Sequence, residues 1–410
     1  MKIIHTSDWH LGARLHEEDR GEEHRAFLAW LLEQMRVERA DALVVAGDIF
    51  DVKAPSLQAQ GLYYGFLAEV VREQLCRKVV ITAGNHDNGK FLAAPSELLE
   101  KLGIEVVSAS GEPGSAADEV VTVEDEHGKT GLVIAAVPFL FDADLANEGD
   151  AGADAERNER VLAGWRHHYR AAIQAARAAA PDVPLVVTGH CTVKDAAPSD
   201  AESERCRRIG GIEAYDPAPF AEADYVALGH LHLPQTVKGF EGKMFYSGSP
   251  LRMSFDEAQG GKSVNIVTFG AAGEPPSVER RAVQETVPMV TLCGTPEAVK
   301  GKLAEYVAGG AAVKRFVRIQ LKDFEGEAKG HWTEIRVLVR ETQTLVLEEN
   351  DIRPAVRETA SLAVFAGRGI RQLNPREVAE RKLRGSSRHF SEDEIADYLR
   401  MYDEVAGGVA

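Results

Sequence analysis

Short apolar runs rich in β-branched residues recur through the first part of the chain. They are four to six residues long and almost continuously apolar, at residues 3–6, 43–46, 79–82, 132–137, 185–188 and 225–228. Such runs are typical of strands buried on both faces. Stretches with helical periodicity separate several of them, at residues 22–39, 57–74, 95–102 and 157–179. This alternation predicts an α/β layer structure.

The pattern changes after residue 240. Two apolar runs, at residues 243–246 and 263–269, follow each other without a long helix, which indicates a second, partly antiparallel sheet. Residues 270–276 are rich in Gly and Pro, and we expect a domain boundary there. Strand-like runs at 287–292, 316–321 and 344–347, with helical stretches between them, then predict a small α/β unit. We therefore expect a first domain over residues 1–275 and a small domain over 286–366.

A polar helical tail is predicted over residues 371–408. Asn374-Pro375 is a good helix start, and Ser391 to Glu394 form a capping box that opens a second helix. Apolar residues at 395, 398, 399, 402 and 405 then share one helix face. Two such short helices need another surface for their apolar faces, either in a small domain of their own or in a groove of a partner.

Composition narrows the class of protein. The chain has 410 residues, 44% hydrophobic content and no apolar run that could serve as a signal peptide or cross a bilayer, so we expect a cytoplasmic location and no membrane contact. The formal charge of −17 argues against a generally basic nucleic-acid binder. It does not exclude DNA as a substrate, because bound divalent cations create their own positive field.

Metal-ligand residue types follow five of the apolar runs. The clusters are Asp8-Trp9-His10, Gly47-Asp48, Gly84-Asn85-His86-Asp87, Gly189-His190 and Gly229-His230-Leu231-His232. Ligands in α/β sheets bind beyond the carboxyl ends of strands, so these clusters should meet at one rim. Each cluster alone is most often a turn, but five in order indicate a metal site. Oxygen and imidazole donors without thiolates suit Mn²⁺, Fe or Zn²⁺.

The ordered set of clusters resembles the calcineurin-like metallophosphoesterase superfamily. Three further stretches resemble the SbcD family within it: residues 5–12, residues 45–51, and Ser247-Gly248-Ser249-Pro250 followed by Ser254-Phe255-Asp256. This resemblance implies a layered α-β-β-α sandwich with a small α/β capping domain and a helical tail. It extends strongly to about residue 269 and beyond that mainly in layout.

The resemblance also assigns roles to residues. It implies that Asp8, His10 and His232 bind one divalent metal. It implies that Asn85, His190 and His230 bind the other metal and that Asp48 bridges the two. His86 is left without a metal and is expected to face the phosphate and help the leaving group.

The residues themselves are compatible with this assignment. His230 and His232 are two apart, so an extended chain places both side chains on one face. Two divalent ions bring four positive charges, and Asp8, Asp48 and a hydroxide remove three, which leaves one charge to suit a phosphodiester. We expect Asp87 to support a ligand histidine. His167 and His168, in an Arg-rich helical stretch, are expected to be solvated.

The resemblance implies a Mn²⁺-dependent nuclease of DNA repair, recombination and replication. It implies 3′–5′ exonuclease activity on duplex ends and endonuclease activity on single strands or hairpins. The implied partner is the coiled-coil ATPase SbcC, with the tail as the contact and a homodimer inside a heterotetramer. Two alternatives remain open. A phosphatase, nucleotidase or cyclic-nucleotide phosphodiesterase could use the same site, and a scaffold could keep the fold without the chemistry.

Overall fold

The computed structural model describes residues 1–108, 116–146, 157–197, 214–258, 261–308, 314–324, 329–340, 342, 344–352, 376, 380 and 395–400. These residues divide into two compact units, the first comprising Met1–Val290 with Lys314–Phe316 and the second the remainder. No helix in the described ranges is long and apolar enough to cross a membrane.

Two six-stranded sheets form the first unit. One has the order β14-β13-β1-β4-β5-β6, in which β1, β4, β5 and β6 are parallel and β13 is antiparallel. Its strands are β1 Lys2–Thr6, β4 Ala42–Ala46, β5 Lys78–Thr82, β6 Ile104–Val107, β13 Ser263–Thr268 and β14 Ser277–Ala282.

The other sheet has the order β11-β12-β10-β9-β8-β7, with β8, β9, β10 and β12 parallel. Its strands are β7 Val120–Glu124, β8 Thr130–Ala135, β9 Leu185–His190, β10 Tyr225–Gly229, β11 Gln235–Thr236 and β12 Met244–Tyr246. A short hairpin of β2 Arg14–Leu15 and β3 Glu18–Asp19 lies outside both sheets.

Helices cover the outer faces of the two sheets. They are α1 Gly21–Glu38, α2 Leu57–Glu73, α3 Gly89–Ala93, α4 Ser96–Glu100, α5 Asp142–Leu145 and α6 Arg157–Ala179. Alternation along β4 shows the layering: Leu43 and Val45 pack with α1 and α2, whereas Val44 packs against the second sheet. Core side chains of α6 cover the other face of the second sheet. The predicted α-β-β-α sandwich is therefore confirmed.

The segment at residues 270–276 links β13 to β14, which pair antiparallel along their whole length. The first sheet therefore continues beyond the position at which we expected a boundary. The division into domains at 1–275, 286–366 and 371–408 stays a prediction.

A three-stranded sheet of order β15-β16-β17 follows, built from β15 Met289–Gly294, β16 Arg315–Lys322 and β17 Thr344–Ile352. Its helices are α7 Pro296–Ala308 and α8 Lys329–Val339, with Val299, Leu303 and Ile335 fully buried. In the tail, residues 395–400 are helical, with Ile395 and Leu399 buried. Most of the predicted tail, including the capping box, lies outside the described residues.

Candidate metal centre

The five clusters lie at the carboxyl ends of β1, β4 and β5 of the first sheet and of β9 and β10 of the second. The structure brings all seven expected ligands together at this common edge. Around Asp48 the distances are short: its Oδ2 lies 3.3 Å from His190 Nε2 and 3.6 Å from His10 Nε2. The carboxylate is buried and stands between two groups of donors.

The first donor group contains Asp8, His10 and His232. The Nε2 atoms of the two histidines are 3.2 Å apart, and one ligand atom from each residue of this group lies within 4.8 Å of the others. Asp8 is fixed by the backbone N–H of His230, which donates to its Oδ1 at 2.9 Å. Ser7 Oγ also donates to Oδ2 of Asp8 at 2.5 Å.

The second donor group contains Asn85, His190 and His230. Oδ1 of Asn85 lies 3.2 Å from His190 Nε2 and 3.1 Å from His230 Nδ1. An amide oxygen and two imidazole nitrogens therefore point at one another from the ends of three different strands. Asp48 contacts this group and the first one, as a shared ligand must.

Glycines permit this close approach. A Cβ on Gly47, which has φ +87°, would lie 2.1 Å from His190 Nδ1. A Cβ on Gly84 would lie 2.1 Å from Asp48 Oδ1. Any side chain at either position would displace a ligand.

Backbone strain is concentrated among the ligands. Asp8, His10, Asp48 and His230 all have positive φ, at 52°, 45°, 52° and 91°. Non-glycine residues rarely adopt this region, and the conformation costs about 1–3 kcal/mol at each position. The fold therefore maintains an unfavourable backbone at four of the seven candidate ligands.

The outward nitrogens of three ligand histidines face oxygen atoms. Nδ1 of His190 donates to the carbonyl of Ala46 at 2.9 Å, and Nδ1 of His232 faces Oε1 of Glu257 at 3.1 Å. Nδ1 of His10 lies 3.4 Å from Oδ1 of Asp51. The acceptors of His190 and His232 hold Nδ1 protonated and leave Nε2 to act as a candidate metal ligand, whereas the longer contact of His10 with Asp51 forms no hydrogen bond.

Glu257 was not predicted from the sequence. It is 3% exposed, and besides His232 its carboxylate accepts from the Met253 N–H at 3.0 Å and from Lys262 Nζ at 2.5 Å. Lys262 donates in turn to the carbonyl of His232 at 2.8 Å and to Ser249 Oγ at 2.8 Å. The buried pair therefore holds His232 by its ring and by its backbone. Although burial acts to raise it, the pKa of Glu257 is lowered to about 2 by His232 and Lys262.

His86 lies beside the two donor groups. Its backbone N–H donates to Asp48 Oδ1 at 2.9 Å, and its Nδ1 donates to the carbonyl of Asp51 at 2.7 Å. The ring is 4.9 Å from that of His10, and a ligand atom of His86 lies within 4.8 Å of His10 and Asp48. Its position permits either a metal contact or a contact with substrate, so the role without a metal stays a prediction.

Asp87 does not support a ligand histidine, and that expectation is wrong. Its carboxylate accepts the backbone N–H groups of Gly84, Ile49 and Phe50 at 2.8, 3.1 and 2.9 Å. It therefore joins the loop after β4 to the loop after β5. Burial, with the nearby Asp48 charge, raises the pKa of Asp87 to about 7.

The electrostatics favour added positive charge. Burial acts to lower the pKa of His190, but Asp48 outweighs it and raises that pKa to about 9. Burial also acts to raise the pKa of Asp48, and His190 and His10 overcome it, so the carboxyl stays ionised. Buried carboxylates and inward-facing imidazoles in this arrangement suit divalent cations, which take the place of the protons. The donor set thus fits divalent metals.

Comparison with known proteins agrees with this geometry. A family model described as calcineurin-like phosphoesterase matches residues 1–234. The SbcD subunit of the nuclease SbcCD from Escherichia coli (strain K12) is 36% identical over 310 residues, which cover 75% of this chain and 74% of that protein. The SbcD subunit from Rhodobacter capsulatus is 37% identical over 302 residues, with 71% of each chain covered.

The SbcD subunit from Bacillus subtilis (strain 168) is 35% identical over 274 residues, with 65% of this chain and 66% of that protein covered. A crystal structure of a beta-glucosidase from Exiguobacterium marinum aligns over 86% of this chain and 88% of that one, with a TM-score of only 0.22 and 8% identity. On its ligand geometry and its relatives, the chain belongs to the calcineurin-like phosphoesterase family and, within it, to the SbcD family.

Proposed function

We propose that this chain hydrolyses DNA phosphodiester bonds as the nuclease subunit of an SbcCD-type complex in DNA repair. The observation that carries the proposal is the pair of donor groups that meet at the Asp48 carboxylate, with His10 Nε2 and His190 Nε2 at 3.6 and 3.3 Å from its Oδ2. Relatives named as the SbcD subunit of the nuclease SbcCD favour a nuclease over a phosphatase or nucleotidase.

Two divalent cations, which we propose to be Mn²⁺, would supply Lewis-acid chemistry and hydroxide near neutral pH. Asp8, His10 and His232 would hold one of them, and Asn85, His190 and His230 the other. Asp48 would be shared. The outward hydrogen bonds of His190 and His232 fix which nitrogen each ring presents.

His86 acts on the leaving group in this proposal. The Asp51 carbonyl, at 2.7 Å, accepts from Nδ1, so Nε2 is the atom that faces the substrate. As an imidazolium with a proton on both nitrogens, His86 would give its Nε2 proton to the departing sugar oxygen and keep the one on Nδ1. The backbone N–H of His86 also donates to Asp48, which ties this ring to the shared ligand. The position of His86 is therefore fixed relative to the candidate metal centre.

Substrate preference tests this function against the alternative. The purified chain with Mn²⁺ is given a labelled single-stranded oligonucleotide, a cyclic nucleotide and p-nitrophenyl phosphate in parallel. We expect cleavage inside the oligonucleotide, with a much lower kcat/KM on the other two substrates. A kcat/KM higher on the monoester or on the cyclic nucleotide would favour the phosphatase or phosphodiesterase alternative.

The remaining features of this proposal rest on the family. The partner would be a coiled-coil ATPase of the SbcC type, contacted by the tail at residues 371–408, and two copies of this chain would sit in a heterotetramer. The domain at residues 286–366 would cap the site and position duplex ends for 3′–5′ digestion. A cytoplasmic location stays a prediction. Size measurement of the complex by light scattering, with and without the ATPase, tests the stoichiometry.

A further inference from the structure

Two phenylalanines stand beside the second donor group. The Phe139 ring meets the His190 ring edge to face, with centroids 6.2 Å apart. The Phe141 ring lies 4.9 Å from that of Phe139 at an interplanar angle of 81°. Phe139 is half-buried, but Phe141 is 45% exposed. The solvent-exposed Phe141 ring therefore contacts Phe139, and Phe139 in turn contacts the candidate metal ligand His190.

A lysine adjoins the exposed ring. Lys53 Nζ lies 5.9 Å from the Phe141 centroid, at the outer limit of cation–π attraction. Lys53 is exposed, and it forms no ion pair with any carboxylate among the described residues. It lies on the loop that begins at Asp48, and the carbonyl of Asp51 on that loop accepts from His86. The positive charge is thus tied to the same loop as the shared ligand.

The backbone that carries the rings is held in place. The Phe139 N–H donates to the Ala83 carbonyl at 2.8 Å, beside the loop that supplies Asn85. The Phe141 carbonyl accepts from the N–H groups of Asp144 and Leu145 at 2.9 and 3.1 Å, at the start of α5. The exposure of Phe141 is therefore a property of a fixed segment.

An exposed phenylalanine alone would need no explanation, because single apolar residues are common on protein surfaces. Here the ring is joined to a metal ligand through Phe139 and accompanied by the exposed Lys53 ammonium. A flat apolar face next to a positive charge matches a nucleotide, which offers a base for stacking and a phosphate for the cation. Among ligands that offer both groups, a nucleotide is the one that the adjoining phosphodiester-cleaving site proposed above would bring to this ring.

We propose that Phe141 and Lys53 form a nucleotide platform for an unpaired DNA strand. The base next to the scissile phosphodiester stacks on Phe141, taking the ring face near which Lys53 lies, and the Lys53 ammonium turns to the adjacent phosphate. The inference rests on the nuclease function proposed above and adds a substrate feature to it. Stacking requires a base that is out of the duplex, so the platform selects single strands, hairpin loops and frayed ends.

The stacking half of the proposal is tested with an abasic substrate. Two Mn²⁺-dependent cleavage reactions are compared, on a single strand with all its bases and on the same strand with abasic sites flanking the cleavage position. We expect the wild-type chain to prefer the base-bearing strand in kcat/KM by about 5- to 150-fold, the range for stacking of one base on an aromatic ring. Phe141→Ala should reduce this preference to about one, and Phe141→Trp should restore it.

Leu98→Ala is the matched control, because Leu98 is an apolar side chain on α4 that is 62% exposed. It should keep the wild-type preference. A wild-type preference unchanged in Phe141→Ala would overturn the platform while leaving the nuclease intact. Failure of the wild-type chain to cleave either strand would overturn the nuclease function itself, and the platform with it.

The charge half is tested by salt dependence. A lysine that contacts one phosphate contributes about one unit to the slope of log affinity against log salt concentration, slightly less for a single strand. Binding of a fluorescent single strand is therefore measured over a salt series with the metal-free protein. Lys53→Ala should lower the slope by about 0.7, and Lys53→Arg should preserve it. A slope that is identical in Lys53→Ala and the wild type would exclude the phosphate contact.

Discussion

The buried pair of Glu257 and Lys262 offers the sharpest perturbation of the metal centre away from its ligands. Replacing Glu257 with Ala removes the acceptor at 3.1 Å from His232 Nδ1 and leaves Lys262, which is 7% exposed, without its counter-ion. Removal of one partner of a buried ion pair costs about 3–5 kcal/mol of stability. Weaker metal binding by this single variant could therefore come either from partial unfolding or from the lost contact to His232.

A double substitution separates the two effects. Glu257→Leu combined with Lys262→Met removes both charges, and replacing a buried pair with apolar groups is often neutral for stability. The ring of His232 still loses its orienting acceptor. Loss of such a partner weakens metal binding by ~10–100-fold, or about 1.4–2.7 kcal/mol. We expect this loss at the group of Asp8, His10 and His232.

Glu257→Gln with Lys262→Met is the matched control. Its amide oxygen can still accept from His232, so we expect metal affinity within a few-fold of the wild type. Mn²⁺ affinity is measured by calorimetric titration of the metal-free proteins, and stability by urea denaturation. If the Leu/Met variant is as stable as the wild type and binds both Mn²⁺ ions with unchanged affinity, Glu257 does not position His232.

Three further outcomes are expected from the structure, and a fourth, for the tail, from the family resemblance. Asp48→Asn should abolish hydrolysis in Mn²⁺, because a neutral amide cannot hold two cations together, and near-normal turnover would refute the shared role. His86→Ala should keep both metals by elemental analysis and lose ~10²–10⁴-fold in rate, whereas loss of one ion would make His86 a ligand. Deletion of residues 373–410 should abolish co-purification with the ATPase partner and leave single-strand cleavage, and full retention in a pull-down would place the interface elsewhere. Burial lowers the pKa of His5 to about 3, so the free energy of unfolding of the metal-free protein should fall as the pH drops from about 6.5 towards 3. The fall should be at most ~1.4 kcal/mol per pH unit, and His5→Asn should reduce this dependence of stability on pH, as measured by urea denaturation.

The five clusters could be located from the sequence because each lies at the carboxyl end of a strand with a strong apolar signal. The assignment of single residues to metals came from the family resemblance and stays a prediction. Parallel strands place their carboxyl ends at one edge, so residues as distant as Asp8 and His230 meet without any local sequence relation. The apolar runs also gave most strand positions. The strand β14 was not predicted, because its residues, Ser277–Ala282, are mostly polar and exposed at a sheet edge.

The supporting contacts could not be predicted in the same way. Glu257 lies 25 residues beyond His232, in a short 3₁₀ turn, Phe255–Ala258, and no spacing rule joins the two. Asp87 next to His86 suggested a bond to a histidine. Backbone N–H groups of two loops converge on its carboxylate instead, which only the tertiary structure reveals.

One error could have been avoided from the sequence. His168 is buried and its Nε2 faces both carboxylate oxygens of Glu119 at 3.0 Å, whereas His167 is exposed as expected. His168 lies three residues after Trp165 and four before Ala172 on α6, and both neighbours are core residues. Helical periodicity thus placed His168 on the buried face, and the surrounding arginines obscured this signal.

In the proposed function, two cations at the Asp48 centre perform phosphodiester hydrolysis. The most direct measurement is titration of the metal-free chain with Mn²⁺, in which bound metal and cleavage of a single-stranded oligonucleotide are recorded on the same samples. We expect two bound Mn²⁺ per chain, with cleavage appearing as the second equivalent binds. Full cleavage with one bound ion, or cleavage that persists in the metal-free protein with a chelator, would contradict it.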